Sequence, residues 1–308
     1  IGLKVPINFG GRLTGRIGNK WRIGMMDMQT GSKDDTLASN YAVAVLQREI
    51  FSRSSIVGFL VNKEITQSYS DTAFTANHYN RVAGLEYNFA STDNRWQGKT
   101  FFHQSFYPGA GNNAAAFSGN IGYFSQYLKA SISQSYIGSD YIAEAGYIRR
   151  TGLFEITPSV SYLFYPSHSE KIISHGPGAN FNVVFDPEFK LTDRETEFSY
   201  TIGWKNKSQL SVSMQEEFIL LSSDFDPTNT GGEKLDAGER FHWNSAQAGF
   251  TSDDRKLFNY KLSTGIGGFY NGNRWFFSGQ MNYRVQPYGS IGMIINYNNI
   301  SLPDPYNS

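Results

Sequence analysis

The sequence predicts an all-β chain, an antiparallel transmembrane β-barrel with about sixteen strands visible, and three observations carry that expectation. Two-residue alternation of apolar and polar side chains runs along nearly all of the 308 residues. The alternating segments are roughly ten to thirteen residues long, about twice a usual strand and the length of a tilted membrane-crossing one. Their connections alternate, mostly, between tight turns and long polar loops, the arrangement of outer-membrane barrels.

The pattern is plainest in TEFSYTIGWKNKSQLSVSMQEEF, Thr196 to Phe218. Phe198, Tyr200, Ile202 and Trp204 interleave with Glu197, Ser199, Thr201 and Gly203; after the KNKS turn, Leu210, Val212 and Met214 interleave with Gln209, Ser211, Ser213 and Gln215. The first segment repeats it, with Ile7, Phe9, Leu13 and Ile17 against Asn8, Arg12, Thr14 and Arg16. Next come WRIGMMDMQT, NYAVAVLQREI and SIVGFLVNKEIT, with GSKDDTLAS and then FSRSS between them. After QSYSDTAFTAN follow HYNRVAGLEYNFA, WQGKTFFHQSFY, AAAFSGNIGYF and LKASISQSYI. The irregular GSDYIAEAGYIRRTG precedes LFEITPSVSYLFY and EKIISHGPGANFNVVF. Beyond the quoted pair and the loop LLSSDFDPTNTGGEKLDAGER lie FHWNSAQAGF, KLFNYKLSTGIGGFY, RWFFSGQMNYRV and SIGMIINYNNI, with NGN as the hairpin signal before RWFF.

A closed sheet is the solution that pairs every backbone group in hydrocarbon without leaving an edge. A soluble sandwich is the competing arrangement, and the distribution of residues over the two faces weighs against it. Ser, Thr, Asn, Gln and charges of both signs fill one face, with Arg12, Arg16, Asp27, Glu86, Lys129, Glu197, Lys205, Glu217 and Arg284 expected to face a watery lumen. Large rings are expected on the other face and at strand ends, Trp21, Tyr41, Tyr87, Trp96, Trp204, Trp243, Trp275 and Tyr297 among them, as interfacial girdles. Aromatics make up 16% of the chain and mean hydropathy is −0.41, so the apolar content is carried by rings rather than by spanning helices. The 27 basic residues balance 27 acidic ones, which offers no electrostatic basis for binding nucleic acid. Without cysteine there is neither a disulfide nor a thiolate metal site. The whole of 1–308 reads as barrel, a segment of a longer chain, because alternation is already under way at the first residues and no closing element follows the last strand.

The stretches NFGGRLTGRIGNKWRIGMMDMQT, NYAVAVLQREIFSRSSIVGFLVN, AGYIRRTGLFEITPSVSYLFYP, LFNYKLSTGIGGFYNGNRWFFSGQMNYRVQP and YNNISLPDPY together resemble a family of Bacteroidota outer-membrane barrels of unassigned function. In that family a secretion signal and a carbohydrate-binding module of the family 9 type usually precede the barrel. The resemblance implies an upstream module outside this sequence and further strands flanking it. It transfers no catalytic residue.

Chemistry is sparse. None of the five histidines stands in a metal-ligand spacing or beside a nucleophile motif. A rim hydrolase would have to use His78 or His242, with Asp71 or Glu239 in sequence reach, so the site expectation is: no catalytic residue. In SSDFDPTNTGGEKLDAGE, Asp224, Asp226, Glu233 and Asp236 place carboxylates around a Gly turn, loosely like a calcium loop, but the full spacing is absent. A solvated acidic loop with Asp-Pro and Gly-Gly turns explains them as well, so calcium is a candidate and no other cofactor is expected. FTANHYN, FYPGAG and DYIAEAGYIRR present rings that could stack on a saccharide or anchor at the membrane interface. The functional expectation is an outer-membrane channel for small polar solutes or sugars, in contact with outer-membrane lipid and lipopolysaccharide. The alternative is a non-transporting barrel that anchors another domain or joins a larger outer-membrane complex.

Overall fold

Aromatic and β-branched residues fit a pleated, half-covered chain, and in the computed structural model every alternating segment is a strand. In order these are β1 (Ile7–Ile17), β2 (Trp21–Thr30), β3 (Ser39–Ile50), β4 (Ser54–Ile65), β5 (Tyr79–Ala90), β6 (Trp96–Phe106), β7 (Ala115–Phe124) and β8 (Leu128–Ile137). They continue as β9 (Leu153–Tyr162), β10 (Ile172–Phe185), β11 (Leu191–Trp204), β12 (Gln209–Leu220), β13 (Arg240–Thr251), β14 (Phe258–Phe269), β15 (Gly272–Val285) and β16 (Gly289–Ser301). The structure describes residues 4–34, 36–67 and 78–306. Among these there is no helix, and hence none long and apolar enough to cross a membrane, which says nothing about crossing by strands. The sixteen strands form one antiparallel sheet in chain order. The chain divides into two compact units, Ile1–Phe124 with Ser133–Glu155 and Asp186–Glu188, and Ser125–Ile132 with Ile156–Phe185 and Phe189–Ser308.

In the first unit, register assigns each side chain to a face, because directly opposed residues point the same way. Leu13, Met25, Ala44, Leu60 and Ala83 form one row, and Ile23, Leu46, Gly58, Leu85 and Phe102 the next. This face is apolar and open: Leu85 is 64% exposed and Phe102 51%. Arg12, Thr14 and Arg16 of β1 point to the opposite face, where Arg16 and Arg22 both donate to Glu49, at 3.2 and 3.3 Å.

The second unit repeats the arrangement. Phe198 opposes Met214, Tyr200 opposes Val212 and Ile202 opposes Leu210, so the expected alternation of β11 and β12 holds. The row continues through Ala246 and Ile266 to Trp275. Met214 is 69% exposed on this face and Ile266 66%.

Some residues depart from the expected faces. Asp27 is opposed to Gly11 and Ala42 and lies on the apolar face, not the polar one, where the Asn40 amide donates to it at 3.2 Å. It sits near the end of β2 that leads into a loop. There Asn62, Glu64 and Arg81 share its face, with Arg81 Nε donating to Asn62 at 2.8 Å. In the second unit Arg194 and His242 similarly flank Glu216 on the apolar-parity face, each nitrogen 2.8 Å from the carboxylate. The polar residues begin where the apolar band stops, a boundary that parity does not reveal. Tyr41 and Trp243, expected among the girdle rings, point to the polar face instead, opposite Lys63 and Glu217. Lys205 lies in the turn after β11, outside the strand, with its backbone N–H bonded to Lys171 O.

The β14–β15 hairpin also turns one residue earlier than NGN suggests. Phe269 opposes Gly272, so Tyr270 and Asn271 make the turn and Gly272 opens β15. Tyr270 takes a φ of 52°, an uncommon conformation for a ring-bearing residue. Its ring is held by Phe269, Trp243, Phe225 and Phe241, at centroid distances of 4.9 to 5.6 Å.

Candidate functional site

The polar face of β4 to β7 is not uniformly polar. Val57, Phe59 and Val61 of β4 share it with Val82 of β5 and Ala116 of β7. Apolar side chains facing water lose the benefit of burial, and here Phe59, Val82 and Ala116 are covered. The connection between β8 and β9, residues 138–152, folds onto them from within the same unit. Tyr141, Val82 and Ala116 are each less than a tenth exposed and form the core of this unit, with Phe59, Ile137, Ala143 and Ile148 packed around them.

The polar groups of the segment are accounted for as carefully. Asn80, 2% exposed, donates through Nδ2 to Ile142 O at 2.9 Å and accepts from Glu144 N–H at 2.9 Å. Ser105, 1% exposed, donates to the same Ile142 carbonyl at 2.6 Å. The Tyr107 hydroxyl donates to Asp140 O at 2.6 Å, and the Asp140 carboxylate accepts from Asn113 N–H at 3.1 Å. Glu144 closes the far side in an ion pair with Lys63 of β4. The departure from β8 requires Gly138: a Cβ there would meet Asn113 O at 1.9 Å. Buried backbone groups without partners cost about 1–3 kcal/mol each, so this network fixes where the segment lies.

Two rows further toward the tight-turn end lies a charged cluster. Glu86 of β5 pairs with Lys99 of β6 at 2.7 Å and stands 3.5 Å from His103 Nε2. His103 stacks on Phe101 at 4.2 Å and meets Phe59 edge-on at 4.7 Å. The arrangement places opposite charges side by side next to the covered patch.

Of the residues expected to face a lumen, Arg12, Arg16, Lys129, Glu197, Glu217 and Arg284 share the polar face of their own strands. Glu197 accepts from the Asn180 amide at 3.2 Å, and Glu217 lies directly opposite Trp243 in the register. His78 lies just before β5, and its suggested partner Asp71 falls outside the described residues. His242 is paired with Glu216, not with Glu239.

The acidic loop between β12 and β13 is organised around Asp226. Its carboxylate accepts from Thr228 N–H at 2.8 Å, Thr228 Oγ1 at 2.6 Å, Asn229 N–H at 3.0 Å and Gly231 N–H at 2.8 Å. Asp224 accepts from Ala237 N–H at 3.1 Å, and Asp236 N–H donates to Glu239 at 3.3 Å. Asp224, Asp226, Glu233 and Asp236 are thus not assembled as a ligand set, and among the described residues no three carboxylate or imidazole side chains are placed to share a metal. The Thr228 hydroxyl and the turn amides hold the Asp226 carboxyl down to about 2, from an ordinary 3.8. A depressed folded-state pKa stabilises above the unfolded value and is lost as pH falls through the folded one. The loop is therefore expected to keep its hydrogen-exchange protection above about pH 4 and lose it toward pH 2. Asp226→Asn should reduce protection of peptide 226–231 at neutral pH and flatten that pH dependence; an unchanged profile would show that the carboxylate does not hold the turn.

Residues 16–302 match the family described as "Domain of unknown function (DUF5916)", so the chain belongs to that family. No curated protein and no solved structure matches the chain significantly.

Proposed function

We propose that this member of a family without assigned function forms a transmembrane β-barrel of the bacterial outer membrane that passes small polar solutes, through a lumen narrowed by the 138–152 segment. The observation that carries the reading is the pairing of two unlike faces on the same strands. Large apolar side chains stand open on one side, whereas hydroxyls, amides and paired ions occupy the other, where a connecting segment also lies. Exposed apolar surface this extensive needs a partner, and hydrocarbon is the partner that accepts it across whole strands. On this reading the polar groups at the loop ends of the apolar face, Asp27, Asn62, Glu64 and Arg81 in one unit and Arg194, Glu216 and His242 in the other, stand at headgroup depth. Charged residues cost little there, and phosphorylated lipid or lipopolysaccharide would be their partner.

Purified protein in planar bilayers is expected to show discrete conductance steps with weak charge selectivity. Their absence in reconstituted, folded protein would sink the channel. The rival reading, a barrel that anchors another domain or serves as a subunit of a larger complex, draws support from β1 and β16. Every described residue of β1, and nearly every residue of β16, is exposed regardless of face. Partner proteins retained in mild detergent, with no conductance, would favour it.

A further inference from the structure

On the polar face of the second unit, β14 carries glycine where its neighbours carry functional groups. Gly265 and Gly267 are opposed to Gln247 and Ser245 on one side and to Phe276 and Arg274 on the other. The result is a recess of about 280 Å³ bordered by Gln215, Gln247, Glu217, Arg274, Trp243 and Phe276. Close approach requires Gly267, where a Cβ would meet Ser245 Cα at 2.4 Å. A Cβ on Gly265 would meet the Phe276 ring at 2.4 Å, and one on Gly268 would meet Trp243 Cβ at 2.6 Å.

The donors and acceptors around this recess are planar and already braced. The Arg274 guanidinium lies 4.9 Å from the Phe276 centroid and 5.3 Å from that of Phe269, and its Nε–H donates to Asn298 at 3.0 Å. A guanidinium has five donors, more than this bond uses. Glu217 stands directly opposite Trp243 in the register, and the Gln215 amide oxygen accepts from Ser245 Oγ at 3.4 Å. Two amides, one hydroxyl, one carboxylate and one guanidinium surround rings that carry no charge. A sugar ring has the matching chemistry: vicinal hydroxyls that both donate and accept around its rim, and an apolar C–H face that packs on an aromatic ring. A charged solute would instead leave either Glu217 or Arg274 facing a like charge.

We infer that this recess is a saccharide subsite, in which Gln215, Gln247, Glu217 and Arg274 hydrogen-bond the hydroxyls of one sugar residue while the ring of Phe276 packs against its C–H face. The inference rests on the reading that the polar face of β12–β15 lines a water-filled lumen, and it names the class of solute that lumen takes. The test uses the whole protein in detergent, titrated calorimetrically with maltohexaose, cellohexaose and laminarihexaose, and with glycylglycine as a zwitterionic control. The same protein is then recorded in planar bilayers with each compound added. At least one hexaose is expected to bind saturably and to interrupt the ion current. Gln247→Ala and Arg274→Ala should each weaken binding tenfold or more, whereas Asn120→Ala, on the other unit, should not. Because Arg274→Ala removes a side chain stacked between two rings, Gln247→Ala stands as the variant least able to act through misfolding. Failure of every hexaose to bind overturns the subsite, as does binding of glycylglycine alone or sugar binding indifferent to both variants. Ion conductance without any sugar response sinks the subsite and leaves the channel standing. Saturable sugar binding without conductance does the reverse.

Discussion

Leu85→Arg is expected to cost about 2–4 kcal/mol of stability in lipid vesicles, the penalty for a cation at mid-bilayer on the lipid side of a barrel. Leu85 sits in the middle of β5, 64% exposed, in a row with Ile23, Leu46 and Gly58 on one side and Phe102 and Phe117 on the other. No polar group of that row offers the guanidinium a partner, and the polar cluster at Arg81 is two rows away. A folded domain has only about 5–15 kcal/mol in hand, so the variant should unfold at visibly lower urea and be depleted from the outer-membrane fraction. Thr14→Arg, on the polar face of β1, serves as the control and should shift stability by less than about 0.5 kcal/mol. Urea titrations of the two variants in vesicles decide the matter. Equal losses, or a neutral Leu85→Arg, would mean that the open apolar face does not look at lipid.

The same strands show what the sequence makes legible and what it hides. Where both faces have a uniform neighbour, as in β11 and β12, alternation reports side-chain direction correctly for Phe198 to Met214. Where a connecting segment covers part of the polar face, alternation breaks down. IVGFLV in β4 runs apolar on both sides, because Phe59 packs against the cluster around Tyr141 of the 138–152 segment while Leu60 stands on the open apolar face. Continuous apolar runs in an otherwise alternating chain were the available signal that something packs there. Nothing in GSDYIAEAGYIRRTG itself marks it as that something, since its anchors, Asn80, Ser105 and Lys63, come from strands far away in sequence.

Asp27 and Trp243 illustrate a second limit. Parity describes which residues share a face but not how deep each lies. A carboxylate near the loop end of the apolar face and an indole opposite Glu217 on the polar face both look like exceptions until depth is known. Likewise the recess over β14 corresponds to GIGGF, which reads in the sequence as part of an alternating strand. Its significance comes from what the two neighbouring strands place beside the glycines, which only the register supplies.

If the 138–152 segment sets the bore, its most buried anchor governs the current. Asn80 bonds the segment in both directions, donating to Ile142 O and accepting from Glu144 N–H. Asn80→Ala deletes both bonds in a site 2% exposed. The Ile142 carbonyl keeps Ser105 Oγ, so the loss falls mainly on the Glu144 amide and amounts to about 1–3 kcal/mol. Each 1.4 kcal/mol changes an equilibrium about tenfold, so events in which the segment lifts from β5 and β6 should become roughly tenfold more frequent. In bilayer recordings the expected signature is a new population of larger conductance steps, not a uniform rise in current. Adding Ser105→Ala removes the remaining donor to Ile142 O and should enlarge that population further, beyond the sum of the two single changes, because both side chains hold one peptide carbonyl. Recordings of Asn80→Ala, Ser105→Ala and the double variant would settle it. Unaltered step sizes in all three, with the proteins folded, would mean that the segment lies clear of the permeation path.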